Sequence, residues 1–452
     1  ISQTYMIPQE ILAKTLQHVA HQGMIASILG PRGGYKLCGD IKNMDLMQII
    51  EILEGPVGLV DCSINAECTQ LDRCNIRKPL RIIKVEIIMS SLIFTPALFL
   101  AYANGANDNF KGVATLYGSS TTDYKSALAW ATLTTALGSV MTLYLAGELI
   151  IVFKGKGLVP ENIIQMQNFP LAVGMGAALT VMLATFLNLP VSTTHSLIGA
   201  LAGAGWIASE TGIHWATLSR AYFLPMVVGP LLSLALTFVV YPLFKKLRKK
   251  FNIEQETCFC VGKKVITTTP GHAATEEEFR SNSPESITLP EAIIASQVYC
   301  RSSYSGQVAG VSARSLLDGL HYVSSGLVCF SRGLNDTPKI VALLLIGSRF
   351  DLNLSILTVG IAMAIGGLIH SRRIAVTMGR KVTKMNPGQA FTANLVTGIM
   401  VLGASRIGVP VSTTHVSCGS IFGIGAANKK INLKILSHIL LAWVTTLPLG
   451  FI

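Results

Sequence analysis

The sequence predicts an all-α polytopic membrane protein made of two related halves, preceded by a small α+β domain. Three observations favour this fold class: long apolar runs, short motifs that occur twice in the same order, and a more polar first segment. Half of the 452 residues are hydrophobic and only 13% are charged, whereas soluble proteins carry about 25% charged residues. A large soluble protein is therefore disfavoured.

Several weakly charged runs approach or exceed the roughly 20 residues that a helix needs to cross a bilayer. Helices of a soluble core would show charged outer faces, and these runs lack them. The sequence therefore predicts a multi-pass integral membrane protein embedded in a lipid bilayer. The runs are Ile87–Ala103, Ala127–Phe153, Pro170–Pro190, Ala221–Phe244, Leu352–Ile369, Gln389–Ser405 and Ile435–Ile452.

The surplus of positive charge, +12 overall, lies in the membrane part. Its densest cluster is Lys245, Lys246, Arg248, Lys249 and Lys250, directly after an apolar run. Clusters of this kind mark cytoplasmic loops under the positive-inside rule. We therefore interpret most of this charge as a sign of membrane topology rather than of nucleic-acid binding.

Residues 1–84 predict the small α+β domain. Pro8–Gln22 has apolar residues at helical spacing and is followed by a glycine, which favours a helix that ends there. The stretch ASILGPRGGYKLC predicts a β-hairpin, and Asp45–Leu53 predicts another helix. A helix followed by a hairpin is typical of a winged helix, in which Arg32 and Lys36 on the wing would contact the DNA backbone.

Three evenly spaced cysteines, Cys62, Cys68 and Cys74, follow the predicted hairpin. Thiolates on a short loop can converge on one metal centre, and iron–sulfur clusters take about four such ligands. A disulfide framework is the less favoured interpretation, because the number of cysteines is odd and a DNA-binding domain would be cytosolic. The spacing alone leaves both interpretations open.

The segments PQEILAKTLQHVAHQGMIASILGPRGGYKL and MQIIEILEGPVGLVDC, with the three cysteines, resemble iron–sulfur-sensing winged-helix transcriptional regulators over about residues 5–83. The resemblance implies an iron–sulfur cluster on the cysteines and DNA as a partner. The domain is truncated, because the family's first helix and most of its second are missing. Arg77 stands where some members supply a histidine ligand.

The membrane part contains an internal repeat. GANDNFKGVATL at Gly105–Leu116 aligns with GLNDTPKIVALL at Gly333–Leu344, and PVSTTH occurs at positions 190 and 410. Glycines also recur in register after each hexapeptide. Two homologous halves, residues 85–244 and 313–452, therefore flank a polar stretch, residues 245–312, which we expect to be a partly disordered loop with Cys258 and Cys260 as free thiols.

Asp108 and Asp336 occupy equivalent positions of the repeated Gly-x-Asn-Asp motif. A carboxylate within a membrane segment is costly, so it is a functional candidate by default. The alternative is a loop residue at the membrane edge. Duplication of the motif favours a functional role for both.

The hexapeptide brings complementary chemistry. Pro190 and Pro410 should break one helix and allow the next to begin, because proline lacks an N–H and fits a first helical turn. The Ser-Thr-Thr segment would then lie at a helix N-terminus, where unpaired N–H groups and a partial positive charge suit oxyanions. Helix capping is the alternative for a single copy. Two copies in apolar surroundings favour an anion site near broken helices.

The two duplicated motifs match the inorganic phosphate transporter family over about residues 90–452. The resemblance implies two inverted repeats with broken or re-entrant helices and transport of phosphate coupled to Na⁺ or H⁺. It implies an anion site formed by Asp108, Ser192, Thr193, Thr194, Asp336, Ser412, Thr413 and Thr414. It implies cation binding by Asn107, Asp108, Asn335 and Asp336.

Four further residues of the motifs would support this site. His195 and His415 would position the loops or relay protons, with a packing role as the alternative. Lys111 and Lys339 would attract the anion, with solvated loop lysines as the alternative. The motif continues Asn-Phe-Lys in the first half and Thr-Pro-Lys in the second, so the two halves need not be equivalent.

The sequence thus predicts a secondary transporter rather than an enzyme, in a bacterial plasma (inner) membrane, and leaves a homodimer as one option for its assembly. A sulfate permease of the same family and a membrane-tethered iron–sulfur-sensing DNA-binding regulator are the alternatives. Inverted repeats need an odd number of spans per half, so a cytoplasmic loop at Lys245–Lys250 would place the N-terminal domain outside, away from DNA. Either that domain is then not functional, or one half has an even number of spans. A non-functional remnant is a third interpretation of that domain.

Overall fold

The computed structural model describes most of the membrane part and fragments of the N-terminal segment. The chain forms two units, Ile1–Ser91 and Leu92–Ile452, which are treated separately. The described ranges are residues 9–21, 25–28, 34–38, 94–166, 168–209, 212–254, 257–267, 286–296, 304–346, 351–378, 385–429 and 433–452.

The first unit contains helix α1, Gln9–His21, and an antiparallel hairpin. Strands β1, Ile25–Ile28, and β2, Gly34–Leu37, pair so that Ile25 faces Leu37. The helix and hairpin agree with the predicted ones, and Lys36 is exposed on β2. Arg32, the predicted helix Asp45–Leu53, and Cys62, Cys68 and Cys74 lie outside the described residues, so the complete winged helix stays a prediction.

The first half of the second unit is helical. Its first helix, α2, spans residues 94–108, and a 3₁₀ turn, Lys111–Val113, follows. The helices after this turn are α3 (Ala114–Gly118), α4 (Tyr124–Leu145), α5 (Gly147–Phe153), α6 (Glu161–Ile164), α7 (Asn168–Phe186), α8 (Thr193–Ala208) and α9 (Trp215–Lys250, with a π-helical turn at Leu218–Phe223).

The remainder of the second unit is also helical. A long helix, α10, runs from Ala313 to Leu344 and continues through Pro338. The helices that follow are α11 (Leu352–His370), α12 (Arg372–Val376), α13 (Pro387–Arg406), α14 (Thr413–Ala427) and α15 (Leu433–Phe451). The helix α10 packs against α13 and α4, so it lies at the centre of the unit.

Both hexapeptides lie at helix breaks, as predicted. The helix α7 ends at Phe186 and α8 begins at Thr193, while α13 ends at Arg406 and α14 begins at Thr413. Each break therefore leaves a short non-helical segment, and in it the carbonyls of Val191 and Val411 accept hydrogen bonds from side chains.

The joining segment differs from the predicted polar loop. The helix α9 extends to Lys250, and three strands follow: β3 (Thr257–Thr267), β4 (Ser286–Ser296) and β5 (Tyr304–Ser312). They form an antiparallel sheet in the order β4-β3-β5. The composition of serine, threonine and glutamate masked the valine and isoleucine residues that favour strands.

The expectation of free thiols in this segment is confirmed for Cys258 and corrected for Cys260. Cys258 is a free, buried cysteine, whereas Cys260 is disulfide-bonded. Both side chains point to the same face of β3, because residues two apart in a strand share a face. The sheet rather than a flexible loop therefore holds them.

Four helices among the described residues are long and apolar enough to cross a membrane: Tyr124–Leu145, Asn168–Phe186, Trp215–Lys250 and Leu352–His370. The predicted runs Gln389–Ser405 and Ile435–Ile452 also lie in helices, α13 and α15. Large aliphatic side chains, such as Leu179, Leu231, Val239 and Leu357, are exposed on the span helices. An exposed apolar surface of this extent suits lipid rather than water.

The duplicated glycines are explained by close helix packing. A Cβ atom at Gly199 or Gly203 of α8 would lie 2.3 or 2.0 Å from a backbone oxygen of α15. A Cβ atom at Gly419 or Gly423 of α14 would lie 2.3 or 2.6 Å from a backbone oxygen of α9. Both helices that follow a hexapeptide therefore need glycine at the same two places, because any larger residue would push the neighbouring backbone away.

Substitution of Gly419 by valine is expected to destabilise the protein by about 3 kcal/mol, near the upper end for an overpacked core. The matched control is Gly403→Val in α13, where a Cβ atom meets nothing within 4 Å. The midpoint of thermal unfolding in detergent measures the difference. Equal midpoints for the two variants would contradict the close packing of α14 on α9.

Candidate functional site

The two repeated motifs meet in the interior of the second unit. Asp108 lies at the end of α2 and Asp336 within α10, and their exposed fractions are 1% and 2%. Neither carboxylate is therefore a residue of a solvated loop. The hexapeptide segments approach the same region, because Thr194 donates a hydrogen bond to the Val411 carbonyl at 3.2 Å and Thr414 donates to the Val191 carbonyl at 3.1 Å.

Lys111 fills the first of two equivalent oxygen-lined positions. Its Nζ donates hydrogen bonds to Oδ1 of Asp108, to the Val191 carbonyl at 2.6 Å and to Oγ1 of Thr414 at 2.7 Å. We name this group the Lys111 cage: Asp108, Val191 and Thr414 around the ammonium. The lysine is 5% exposed, so the solvated-loop interpretation does not describe it.

Lys339 fills the second position in the same way. Its Nζ donates to Oδ1 of Asp336 at 3.3 Å, to the Val411 carbonyl at 2.9 Å and to Oγ1 of Thr194 at 2.7 Å. We name this group the Lys339 cage. In each cage the carboxylate and carbonyl come from the lysine's own half and the hydroxyl comes from the other half.

Asn107 and Asn335 hold the non-helical segments in place. The Asn107 amide donates to Thr185 Oγ1 at 2.9 Å and to the Leu189 carbonyl at 3.1 Å, and its Oδ1 accepts from the Val191 N–H at 3.2 Å. The Asn335 amide donates to the Val411 carbonyl at 3.2 Å, and its Oδ1 accepts from Ser405 at 3.3 Å. Both asparagines were predicted as cation ligands. Asn335 contacts the carbonyl of the Lys339 cage directly, whereas Asn107 holds Val191 of the Lys111 cage through its N–H.

Asn104 joins the two halves and was missed from the sequence. Its Nδ2 lies 3.1 Å from Oδ2 of Asp108, 3.1 Å from Oδ2 of Asp336 and 3.0 Å from Oγ1 of Thr193. Thr193 also donates to Oδ2 of Asp108 at 3.1 Å. The signal was present in the sequence, since Asn104 lies four residues before Asp108 and therefore on the same face of α2.

Ser192 and Ser412 act as helix caps. Ser192 Oγ accepts from the His195 N–H at 3.2 Å, and Ser412 Oγ accepts from the His415 N–H at 3.3 Å. These bonds satisfy one free N–H at each helix start. Thr413, 7% exposed, lies beside them at the first position of α14.

The two motif histidines lie against each other. The ring centroids of His195 and His415 are 4.2 Å apart, and His415 stacks on Trp443 at 3.6 Å. In the part of the chain that the structure describes, His195 Nδ1 and His415 Nε2 are buried and make no hydrogen bond. The two rings are therefore packed as in a core, and each keeps one ring nitrogen without a hydrogen-bond partner among the described residues.

Arg332 is a second residue that the sequence interpretation missed. Its side chain is fully buried, with 2% exposed, and its guanidinium reaches Asn104 Oδ1 and Asn109 Oδ1 only at 3.4 Å. Its Nε has no hydrogen-bond partner among the described residues, and no described carboxylate pairs with it within 4.0 Å. The arginine lies one turn before Asp336 on α10, so the sequence RGLND contained the signal.

The buried charges of this region do not cancel. Among the described residues, the buried acidic side chains are Asp108 and Asp336, and the buried basic side chains are Lys111, Arg332 and Lys339. Each lysine is paired with an aspartate, which leaves the arginine without a compensating anion. Because an unpaired buried charge is costly, the centre favours the binding of an anion.

The described residues contain no group of three or more histidine, cysteine, aspartate or glutamate side chains that could hold a metal ion. The cysteines predicted to bind an iron–sulfur cluster are not among these residues. The centre of the second unit combines two aspartates with two lysines and an arginine.

Residues 104–452 match the family model described as the phosphate transporter family, and residues 1–88 match that of an iron-dependent transcriptional regulator. A putative phosphate permease of Pyrococcus horikoshii is 26% identical over 385 residues, which cover 78% of this chain and 92% of the relative. A probable low-affinity inorganic phosphate transporter of Rhizobium meliloti is 28% identical over 369 residues, which cover 78% of this chain and 90% of that relative.

Among solved structures, a sodium-dependent phosphate transporter has a similar fold, with a TM-score of 0.61. The match covers 80% of this chain and 96% of that one at 20% identity. A likeness at this level of identity concerns the helical fold and not the residues of the site.

Proposed function

Because the chain belongs to the phosphate transporter family, an integral membrane family of transporters rather than enzymes, we propose that it carries inorganic phosphate across the membrane. The names of the similar proteins from Pyrococcus horikoshii and Rhizobium meliloti support phosphate as the substrate. The observation that carries the proposal is the unpaired, buried guanidinium of Arg332 between the two carboxylate motifs.

Phosphate fits this centre better than sulfate. Near neutral pH a phosphate ion still carries an O–H group, which can donate a hydrogen bond to Asp108 or Asp336, whereas sulfate has no proton to donate. A site built around a hydrogen bond to the ligand strongly rejects an analogue that lacks it, because the site's buried group is left unpaired. The two carboxylates therefore support phosphate, and sulfate transport remains the alternative.

The binding roles follow from the positions of the side chains. Arg332 offers charged N–H donors, and the N-termini of α8 and α14 offer Thr193, Thr194, Thr413 and Thr414 near the two carboxylates. Ser192 and Ser412 contribute through the caps that orient these termini. His195 and His415, whose rings pack against each other, would position the two segments.

For the transport cycle we propose secondary active transport by alternating access. The halves 85–244 and 313–452 would be inverted repeats that move about the shared centre, with phosphate entry driven by Na⁺ or H⁺. Broken helices that meet at a central site are the usual arrangement of such carriers. The cation partners predicted for this cycle are Asn107, Asp108, Asn335 and Asp336.

The N-terminal segment supports a second, separate function. Its match to an iron-dependent transcriptional regulator favours DNA binding through Arg32 and Lys36, with an iron–sulfur cluster on Cys62, Cys68 and Cys74. Both remain predictions. A bacterial plasma membrane and a homodimer are also proposals. The mass of the purified protein would test the homodimer, and protease accessibility in oriented vesicles would show on which side of the membrane the N-terminal segment lies.

Uptake of labelled phosphate into proteoliposomes tests the proposed function. We expect uptake above that of empty liposomes, weak inhibition by a tenfold excess of sulfate and strong inhibition by a tenfold excess of unlabelled phosphate. If sulfate and unlabelled phosphate inhibit uptake equally, the proposed specificity for phosphate is wrong and the protein accepts tetrahedral oxyanions more broadly. Absence of phosphate uptake in the presence of both Na⁺ and an inward proton gradient would refute the proposal.

A further inference from the structure

We propose that Lys111 and Lys339 serve as tethered cations which fill the two cages, so that no Na⁺ binds there and phosphate uptake does not depend on Na⁺. This inference rests on the proposed function and concerns the coupling ion of that same centre. It separates this chain from the sodium-dependent phosphate transporter of similar fold.

The first argument is the set of atoms around each ammonium. Every cage offers one carboxylate oxygen, one backbone carbonyl of a non-helical segment and one threonine hydroxyl. Carboxylates and the carbonyls of unwound helices are the groups that hold coupling cations in carriers with broken helices. The lysine Nζ thus lies where the oxygen donors of such a site converge.

The second argument is that the ammonium leaves nothing for a metal ion to bind. A lysine ammonium has three N–H donors and no acceptor. The three donors of Lys111 are matched by the three oxygens of its cage, and the same holds for Lys339. A Na⁺ ion would have to displace the ammonium or share its oxygens, and it would then lie beside another positive charge.

The third argument is that the same arrangement occurs twice and that each cage takes its threonine from the other half. The Lys111 cage takes its hydroxyl from Thr414 of the second half, and the Lys339 cage takes its hydroxyl from Thr194 of the first half. Two reciprocal bonds of equal length, 2.7 Å, indicate one structural solution used twice rather than an accidental contact. Both carboxylates are consequently neutralised by the protein itself in this conformation.

Two measurements on the unmodified protein test the inference. Uptake of labelled phosphate is compared in NaCl and in choline chloride at equal ionic strength and pH, and we expect rates equal within about twofold. The melting temperature in detergent should likewise be unchanged when NaCl replaces choline chloride. A tenfold stimulation of uptake by Na⁺, or a Na⁺-dependent rise in melting temperature, would overturn it.

The melting measurement also separates this inference from the proposed function. It needs no transport, so a protein that takes up no phosphate but is stabilised by Na⁺ refutes both proposals. A protein that takes up no phosphate and ignores Na⁺ refutes only the function.

Removal of one tethered cation should create a sodium site. In Lys111→Ala the three oxygens of the cage are left without a cation, so Na⁺ is expected to raise the melting temperature by about 2–4 °C relative to choline. The matched control is Lys125→Ala, an exposed lysine at the start of α4, which should show no such response. If the Lys111→Ala variant has the same melting temperature in NaCl and in choline chloride, the proposal is contradicted.

Discussion

Substitution of Arg332 by glutamine is expected to weaken phosphate binding by about 2–3 kcal/mol, which is about 30- to 150-fold in affinity. The guanidinium is the one buried charged group among the described residues of the site that lacks an opposite charge. Its loss would remove the charge-assisted hydrogen bonds proposed for the phosphate ion, while the neighbouring amides of Asn104 and Asn109 remain. The concentration dependence of uptake should show this as a higher apparent KM.

Stability distinguishes a ligand-binding arginine from a structural one. Its direct hydrogen bonds are long, 3.4 Å, and its Nε is unsatisfied within the described part of the chain. Arg332→Gln should therefore leave the melting temperature unchanged or raise it in the absence of phosphate. Arg406→Gln, an exposed residue at the end of α13, is the control for uptake. Strong destabilisation with unchanged KM would show that Arg332 only supports the fold.

Substitution of Asp108 or Asp336 by alanine is expected to abolish uptake. Each carboxylate neutralises a buried ammonium, so its removal strands a charge at a cost of about 3–5 kcal/mol. The same substitution removes the acceptor proposed for the phosphate O–H group. Uptake is measured beside the amount of protein in the membrane, and full uptake by both variants would contradict the assignment of the site.

A charge-matched pair of variants separates folding from function at Asp108. The double variant Asp108→Asn with Lys111→Met removes both charges of the ion pair, so it should recover stability lost by Asp108→Asn alone. It should not recover uptake. Asp351→Asn is the matched control, because this exposed aspartate caps α11 and asparagine caps equally well.

Duplication was the feature of the sequence that predicted most of the site. Asp108, Asp336 and the hexapeptide threonines do converge, because each motif marks a helix break or a buried helix in both halves. The family was also predicted correctly. The positions of the breaks followed from Pro190 and Pro410, since proline disfavours continuation of the preceding helix.

Contacts between distant segments could not be predicted. The burial of Lys111 and Lys339 depends on oxygens from the opposite half, and no spacing along the chain reveals those partners. Arg332 and Asn104 are different, because each lies four residues before a motif aspartate and therefore on the same helix face, so the sequence did contain a signal for them. The helix α10 also continues through Pro338, which the composition alone would place at a kink.

In the joining segment, the composition predicted a loop where the structure has strands. Its polar composition concealed a sheet whose register depends on pairing of β3 with two partners. A polar composition predicts a flexible segment, because its side chains have little apolar surface to bury. Strand pairing nevertheless satisfies the backbone N–H and C=O groups of a polar segment as well as those of an apolar one.

The exchange of threonine hydroxyls has a consequence for shorter versions of this protein. A polypeptide of half this length would carry a lysine and an aspartate, but the third oxygen around its ammonium would be absent. Such a molecule could complete the arrangement only by pairing with a second copy that supplies the threonine. In this protein both segments belong to one polypeptide, which fixes their stoichiometry at one to one and allows the two segments to differ in sequence around a shared centre.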